Sequence, residues 1–489
     1  MGREPEPVTG MTTWDEEVDR LWEAGRWTGT LPLAGADEAL RSVLHEMVDA
    51  MSGHSLAAVA YHAFHRARRD GDEGPLLRFF ERAAETGATG AFLARARALP
   101  PERQVLFFAR KPYFVILREA LALRKLGWRC RLAHVDPVPP DLMGGLRAAF
   151  DDVVQVADHL MIVEAFVSRS PAALVHIQCG IFDFALSYAA LRGARGRKTI
   201  AEFYDMQCFA GSPALMATYF GREKAVLDRA VEGALCREAD AVITRFDEAA
   251  TPYLVQHHGA PKRILKFWPY PASEYLRYAE AYAPPRGQRP WRLVHVGGLP
   301  PRVPDGTIIG QGFLPAIESL ATQGARVDFL HDPHRDLAKE AAAPAVLATA
   351  ERLPNFRIYP GLPPDQLAGR LCDYDFGLLL NLMPPGWLKA PLEQLRYSTA
   401  TKIFTYFEAG LPVLINEELE SMAKLVRDHG LGVVAKSEEI PHLLARLDQI
   451  DVLTLRENVR RYNERHNMDR EIHRLDELYR GLLSESPAV

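Results

Sequence analysis

The chain has 489 residues, is 48% hydrophobic and 25% charged, and carries a formal net charge of -5. This length suits about two to four domains with their own cores, and the charge offers no protein-wide field for binding nucleic acid. Five dispersed cysteines without a C-x-x-C pair disfavour a disulfide framework or a cysteine zinc site. The polar, acidic N-terminus is unlike a signal peptide, and no apolar run approaches about 18 residues, so we expect a cytoplasmic protein with at most peripheral membrane contact.

Residues 1–100 form the first predicted region, and their pattern is helical. Apolar residues recur at helical spacing from Leu40 to Met51, and LLRFFERAAETGATGAFLARARAL is a second helical stretch. The region carries no chemical motif. We expect a cap, an acceptor-side accessory or a dimer surface; a partner-binding module is the alternative.

Strand and helix patterns alternate over residues 101–283. The predicted strands are QVLFFA, CRLAHV, VVQVA, AALVHI, KTIAEFYD and ADAVITR. The helix VILREALALRKLG lies between the first two of them. Short buried strands separated by helices predict a doubly wound parallel sheet.

A second strand-helix series covers residues 284–465, after a linker at residues 281–290, AYAPPRGQRP. Its predicted strands are WRLVHVGG, ARVDFLHD, FRIYPG, FGLLLN, LPVLIN and GVVA. The final residues, 466–489, are predicted to form a polar-faced helix. The sequence therefore predicts an α/β protein of two sheet domains that face each other across a cleft.

The strand-turn-helix at the start of the second series is the first candidate binding site. Gly297 and Gly298 follow directly on a strand, and Arg302 lies in the loop before the next helix. Glycines let a backbone approach a phosphate, and an arginine can pair with a diphosphate. Because Pro315 stands where the third glycine of the dinucleotide fingerprint would be, a surface loop of turn glycines remains an equal alternative.

A second candidate site lies in residues 398–416, STATKIFTYFEAGLPVLIN. Thr401 is a possible N-cap, and Lys402 occupies the first helical turn, where acids are usually preferred. A cation at this position is explained if an anion binds there. The alternative is an ordinary helix and strand with an exposed lysine.

Residues 402–414, KIFTYFEAGLPVL, resemble the donor-site helix of GT-B glycosyltransferases of the family 4 type. HVGGL, FRIYPGLPPDQLAGRLCDYDFGLLLN, AEFYDM and CREADAVITR resemble further segments of that family. The resemblance covers roughly residues 103–489. It implies a GT-B fold of two Rossmann-like domains and a hexosyltransferase-like enzyme. It also implies a UDP- or GDP-linked sugar donor, no separate cofactor or metal, and retention of the anomeric configuration.

The resemblance also implies roles for individual residues. Arg302 and Lys402 would neutralise the donor diphosphate, together with the backbone at Gly297 and Gly298. Gln178 would contact the donor sugar, and the acceptor side would hold Asp205. The remaining donor-site candidates are Tyr359, Gly361 and Leu362 against the base, with Thr401, Thr405 and Glu408 on the donor helix. The candidates for the base that deprotonates the acceptor are His176, Asp183 and Asp205. A histidine in an apolar strand, however, is more often a core residue.

The chain departs from the family pattern at the Glu-x7-Glu pair, because Tyr397 and Thr405 occupy its two positions. Glu393 or Glu408 could compensate. The departure keeps open a non-catalytic or repurposed GT-B protein that binds a nucleotide sugar or a protein partner. A sugar-nucleotide epimerase is a third reading, but it should offer paired acids that the sequence lacks. The expected partners are a nucleotide sugar, a small-molecule, glycan or lipid-linked acceptor, and a second copy of the chain in a homodimer.

Overall fold

The computed structural model describes residues 81, 84–85, 87–112, 114–180, 184–280, 290–299, 312–333, 335–383 and 392–485. Most of the predicted N-terminal region, nearly all of the linker at 281–290, and Arg302 and Asp183 lie outside the described residues. Within the N-terminal region, the helix α1, Gly87–Arg97, agrees with the predicted second helical stretch.

The first sheet has seven parallel strands in the order β3-β2-β1-β4-β5-β6-β7. The strands are β1 Gln104–Ala109, β2 Arg129–His134, β3 Asp152–Gln155, β4 Leu174–Cys179, β5 Lys198–Phe203, β6 Ala241–Thr244 and β7 Ile264–Lys266. The helices are α2 Phe114–Lys125, α3 Pro140–Ala149, α4 Leu160–Arg169, α5 Phe184–Gly193, α6 Gln207–Ala210, α7 Pro213–Phe220, α8 Arg222–Glu238 and α9 Thr251–His258. Every residue of β1 and β4 is buried, as expected for central strands covered by helices on both faces.

The second sheet has six parallel strands in the order β10-β9-β8-β11-β12-β13. The strands are β8 Arg292–Gly297, β9 Arg326–His331, β10 Phe356–Tyr359, β11 Phe376–Leu379, β12 Val413–Asn416 and β13 Gly432–Ala435. The helices are α10 Phe313–Thr322, α11 Ala343–Arg352, α12 Pro364–Leu371, α13 Leu392–Tyr397, α14 Lys402–Glu408, α15 Glu420–His429, α16 Leu443–Leu447, α17 Val452–Arg465 and α18 Met468–Ser484. The predicted fold of two doubly wound parallel sheets is confirmed.

Both sheets reverse their strand order beside the first strand, between β1 and β4 and between β8 and β11. In doubly wound sheets, ligands bind outside the carboxyl ends of the strands at this reversal. The carboxyl end of β8, at Gly297, is therefore the first place to examine for a ligand.

The two halves of the chain are joined by a buried ion pair. Arg118 on α2 donates from Nε and Nη2 to the two carboxylate oxygens of Glu408 on α14, at 2.7 and 2.6 Å. Both side chains are 1% exposed. The final helix, α18, also returns to the first half, where Trp128 Nε1 donates to Asp476 at 2.8 Å. In the described part of the chain, no helix combines the length and apolar character needed to cross a bilayer.

Candidate functional site

The side chain of Lys402 reaches the carboxyl end of β8. Its Nζ lies 3.2 Å from His295 Nε2, and a Cβ atom placed on Gly297 would be 3.4 Å from it. Burial lowers the pKa of Lys402 to about 8, and burial together with the nearby ammonium holds the pKa of His295 well below its usual value. A neutral His295 accepts a hydrogen bond from Lys402 but cannot balance its charge. Within the described ranges, no carboxylate pairs with Lys402.

Tyr406 fixes the helix that carries Lys402. Its hydroxyl lies 3.3 Å from Val294 O and 3.2 Å from Leu378 O, and it accepts from Val296 N at 3.1 Å. These contacts bridge β8 and β11 at the reversal of strand order. The ring lies against Gly377, where any Cβ would fall 2.4 Å from it. This anchoring places the first residue of α14 at the end of β8.

The turn after β8 depends on glycine at its first position. Gly297 has φ of +130°, a backbone conformation that residues with a side chain rarely adopt. The guanidinium of Arg335 packs against Gly298 and donates to Leu299 O at 2.9 Å. Because Gly297 has no side chain, its backbone faces the Lys402 ammonium directly at this turn, an arrangement that suits the close approach of a phosphate.

Tyr204 and Arg245 lie opposite, at the carboxyl ends of β5 and β6. The Tyr204 hydroxyl and Thr401 Oγ1 are 2.6 Å apart, so the contact joins the two halves beside Lys402. The guanidinium carbon of Arg245 lies 3.1 Å from the centre of the Tyr204 ring. Asp205 follows and is exposed, yet burial raises its pKa. Solvent contact combined with dense surrounding protein is expected of a residue at the floor of a cleft.

Thr405 and Glu408 are occupied by protein contacts rather than open to the cleft. Arg118 Nη2 lies 3.3 Å from Thr405 Oγ1, and both Glu408 oxygens accept from the same guanidinium. Ala272 N also donates to Glu408, at 2.9 Å. These contacts give Glu408 a structural role in joining the two halves.

His176 and Gln178 both belong to β4, and both are buried. His176 is fully enclosed, with its ring stacked 4.8 Å from Phe107. Its position gives it no contact with the cleft. Gln178 is 4% exposed and lies two residues nearer the carboxyl end of the strand.

The predicted base-binding segment lies beyond β10. Tyr359 ends that strand, and the guanidinium of Arg370 is 5.6 Å from its ring centre. Gly361 packs so closely on the next loop that a Cβ there would lie 1.8 Å from His331 O. Leu362 follows and is partly buried. The segment is therefore held against the chain that leaves β9, one strand away from β8.

Glu119, His176 and Glu202 form one buried group with metal-compatible spacing. The Tyr479 hydroxyl lies 2.6 Å from His176 Nδ1, and we infer that it donates to that nitrogen. The ring proton then sits on Nε2, which is 3.3 Å from Glu202. Burial and the neighbouring Glu202 raise the pKa of Glu119 well above its usual value, so Glu119 keeps its proton. A proton on Nε2 would keep that nitrogen from binding a metal, although within the described residues neither it nor the carboxylate oxygens of Glu119 and Glu202 have a hydrogen-bond partner.

Cys208, Glu232 and His258 form a second such group. The Glu232 carboxylate accepts from the backbone N–H groups of Gln207 and Cys208 and contacts His258 Nε2. Burial raises the pKa of the Cys208 thiol well above its usual value, which keeps it protonated. Glu232 therefore fixes the start of α6.

Sequence reasoning missed His295, Tyr406, Tyr204 and Arg245 as parts of the site. His295 lies in a predicted strand and Tyr406 in a predicted helix, and the apolar neighbours of both residues indicated only a buried core. Arg245 ends the predicted strand ADAVITR, and its position after a parallel strand was the available signal.

Residues 321–469 match the family model for the C-terminal domain of glucosyltransferase 3-like proteins. A structure of HepE from Anabaena, solved with UDP and glucose, is similar with a TM-score of 0.55 and 14% identity, over 78% of this chain and 100% of that one. A glycosyltransferase from Rickettsia africae is similar with a TM-score of 0.51 and 10% identity, over 78% and 99% of the two chains. No curated protein sequence matches.

These comparisons concern the fold over most of the chain and a family likeness of residues 321–469. The two structures share the arrangement of both sheets, and the family model covers most of the second sheet. Both findings agree with the predicted class, while the family 4 type stays a prediction. The chain has the GT-B fold of glycosyltransferases, and its second half matches a glucosyltransferase-like domain.

Proposed function

We propose that the chain transfers a sugar from a nucleotide-diphosphate sugar to an acceptor, with UDP-glucose as the first donor to test. The matched family model is glucosyltransferase-like, and the similar Anabaena structure contains UDP and glucose. The first supports glucose as the sugar, and the second supports UDP as the nucleotide. The proposal includes metal-independent transfer with retention of configuration, which follows the family resemblance.

The observation that carries the proposal is the ammonium of Lys402 at the carboxyl end of β8. It is surrounded by protein, hydrogen-bonds a neutral histidine and has no carboxylate partner in the described residues. An uncompensated cation in such surroundings is costly unless an anion binds beside it. A diphosphate between Lys402 and the Gly297 turn would supply that anion.

The chemistry of sugar transfer fits this charge. As the bond to the leaving group breaks, negative charge grows on the diphosphate and positive charge on the sugar ring. A cation already fixed in place stabilises the first of these charges without reorganisation. Asp205 lies on the opposite side of the cleft, where a carboxylate could assist the acceptor hydroxyl.

Thermal stabilisation by nucleotides tests the proposal. UDP, UDP-glucose, GDP and GDP-mannose are each added to the purified chain, to Lys402→Met and to Lys424→Met. Lys424 is an exposed lysine of the same half and serves as the matched control. Ligand at about 100 times its dissociation constant adds about 2.7 kcal/mol to the free energy of unfolding. We expect UDP to stabilise the wild type and Lys424→Met but not Lys402→Met.

Equal stabilisation of Lys402→Met and the wild type would place the diphosphate elsewhere. The absence of any stabilisation of the wild type would contradict donor binding. A discontinuous assay for UDP released from UDP-glucose then measures turnover. The anomeric configuration of the product, read by NMR, tests retention.

A second candidate is a repurposed protein that binds a nucleotide sugar without transfer. The observation in its favour is the replacement of the family glutamates by Tyr397 and Thr405, together with the engagement of Glu408 by Arg118. Binding of UDP without release of UDP from UDP-glucose would favour this candidate.

A further inference from the structure

One segment of the second half crosses over the first sheet. Tyr397 O accepts from Asp247 N at 2.9 Å, and Thr401 Oγ1 meets the Tyr204 hydroxyl at 2.6 Å. Helix α13 of this segment also packs against α6. The segment therefore covers the carboxyl ends of β5 and β6, next to the proposed diphosphate site.

Arg245 lies beneath this segment, and one edge of its guanidinium forms no hydrogen bond with the described residues. The residue is 2% exposed, and among the described residues neither its Nε nor its Nη2 has a hydrogen-bond partner. These two nitrogens form one edge of the guanidinium, the edge that donates two parallel hydrogen bonds. Stacking on Tyr204 at 3.1 Å fixes the plane of the group.

Gln207 carries a second buried polar side chain under the same segment, because it begins α6, which packs against α13. It is 1% exposed, and in the part of the chain that the structure describes both its amide oxygen and its amide nitrogen lack hydrogen bonds. The carboxylate of Glu232 holds its backbone N–H, so the start of α6 is fixed. A buried amide that forms no bonds is costly, because each atom has lost its contact with water.

The charges near Arg245 decide which ligand suits it. Burial raises the pKa of Asp205 and of Glu119, and the positive charge of Arg245 partly offsets the rise in both acids. Both carboxyl groups therefore lie near the guanidinium. The cation thus has negative or acidic neighbours, unlike Lys402. A hydroxyl both donates and accepts, and it can bond a guanidinium on one side and a carboxylate or amide oxygen on the other.

We propose that Arg245 and Gln207, with the neighbouring Asp205, form a subsite that hydrogen-bonds the hydroxyl groups of the transferred sugar. The inference rests on the proposed function, because it assumes a nucleotide sugar in the cleft. The contact between Tyr204 and Thr401 lies at the edge of this subsite, because Arg245 stacks on the Tyr204 ring. Arg245 and Gln207 then act on sugar selection, and Lys402 acts on the diphosphate.

Binding of UDP and of UDP-glucose, measured side by side by calorimetry, separates the two roles. The variants are Arg245→Met and Gln207→Leu, with Arg245→Lys as the conservative change that keeps the charge and loses the two-bond edge. Arg352→Met, an exposed arginine of the other half, is the control. Donor turnover is followed with UDP-glucose and UDP-galactose, which differ at one hydroxyl.

We expect all three cleft variants to bind UDP within twofold of the wild type. The kcat/KM for UDP-glucose should fall about tenfold or more in the Arg245 variants, because a hydrogen bond to a charged group is lost, and about two- to tenfold in Gln207→Leu, because that hydrogen bond is neutral. The ratio of turnover between UDP-glucose and UDP-galactose should move toward one, a change that a purely structural role would not produce.

Two results would overturn the subsite. The first is an equal loss of UDP and UDP-glucose affinity, which would mean that Arg245 supports the fold or the phosphates. The second is unchanged turnover and sugar preference in Arg245→Lys and Gln207→Leu. Failure of the wild type to bind UDP at all would instead contradict the proposed function, so the two failures are distinguishable.

Discussion

Replacing Arg118 with methionine should destabilise the entire chain, because it leaves Glu408 buried without its cation. The two side chains are each 1% exposed and share hydrogen bonds of 2.7 and 2.6 Å. Screening by solvent is therefore weak at this pair. Removing one partner of such a pair costs about 3–5 kcal/mol, mostly because the other charge remains in place without compensation.

Urea denaturation followed by tryptophan fluorescence measures this loss. We expect the free energy of unfolding of Arg118→Met to fall by about 3–5 kcal/mol. The double variant Arg118→Met with Glu408→Met removes both charges and should recover part of that loss. It still leaves Ala272 N–H without its acceptor, a cost of about 1–3 kcal/mol. The control Arg352→Met breaks an exposed pair and should cost less than about 1 kcal/mol.

Two outcomes would refute this reasoning about the pair. One is an Arg118→Met variant within about 1 kcal/mol of the wild type, which would mean that solvent or another group neutralises Glu408. The other is a double variant whose loss equals the sum of the losses measured in Arg118→Met and in Glu408→Met alone, because contacting partners must show coupling.

Three further predictions concern the site and the core beneath it. Gly377→Ala should destabilise the fold and weaken UDP binding, both read by thermal shift, because its Cβ would lie 2.4 Å from the Tyr406 ring that anchors the donor helix. Tyr479→Phe should lower the free energy of unfolding by about 1–3 kcal/mol, since it leaves His176 Nδ1 unbonded, while calorimetry should show unchanged UDP affinity. Lys402 has a pKa lowered to about 8 from 10.5, so the unfolded chain binds more protons between these values. Its contribution to the free energy of unfolding therefore rises from pH 8 to 10.5 and is absent in Lys402→Met, whereas wild-type UDP affinity falls over the same range because the ammonium is lost.

The sequence was sufficient for the fold because most of its strands are short apolar runs, the central ones fully buried, in regular alternation with helices. QVLFFA coincides with β1, and the predicted strands of the second half each contain an observed one. The strand β7 was missed, because Ile264–Lys266 has three residues and none of them is buried. A strand this short at the sheet edge carries no hydrophobic pattern to detect.

The site was only partly predictable, because its decisive contacts join distant parts of the chain. Gly297 and Lys402 were identified from the glycine turn and the helix start, the resemblance then gave them a common role, and they lie together in the structure. Glu408 was predicted to face the donor, but Arg118, 290 residues away, holds its carboxylate. Nothing local to either residue indicates that partner. Arg245 is likewise recognised as part of the site only through its stacking on Tyr204, a contact between the ends of neighbouring strands.

The position of a bound diphosphate tests the central claim most directly. A crystal structure of the chain with UDP should place a phosphate oxygen about 2.7–3.2 Å from Lys402 Nζ, next to the backbone of Gly297 at the carboxyl end of β8. A diphosphate bound at another edge of the sheet, with Lys402 still bonded only to His295, would contradict the proposed donor site.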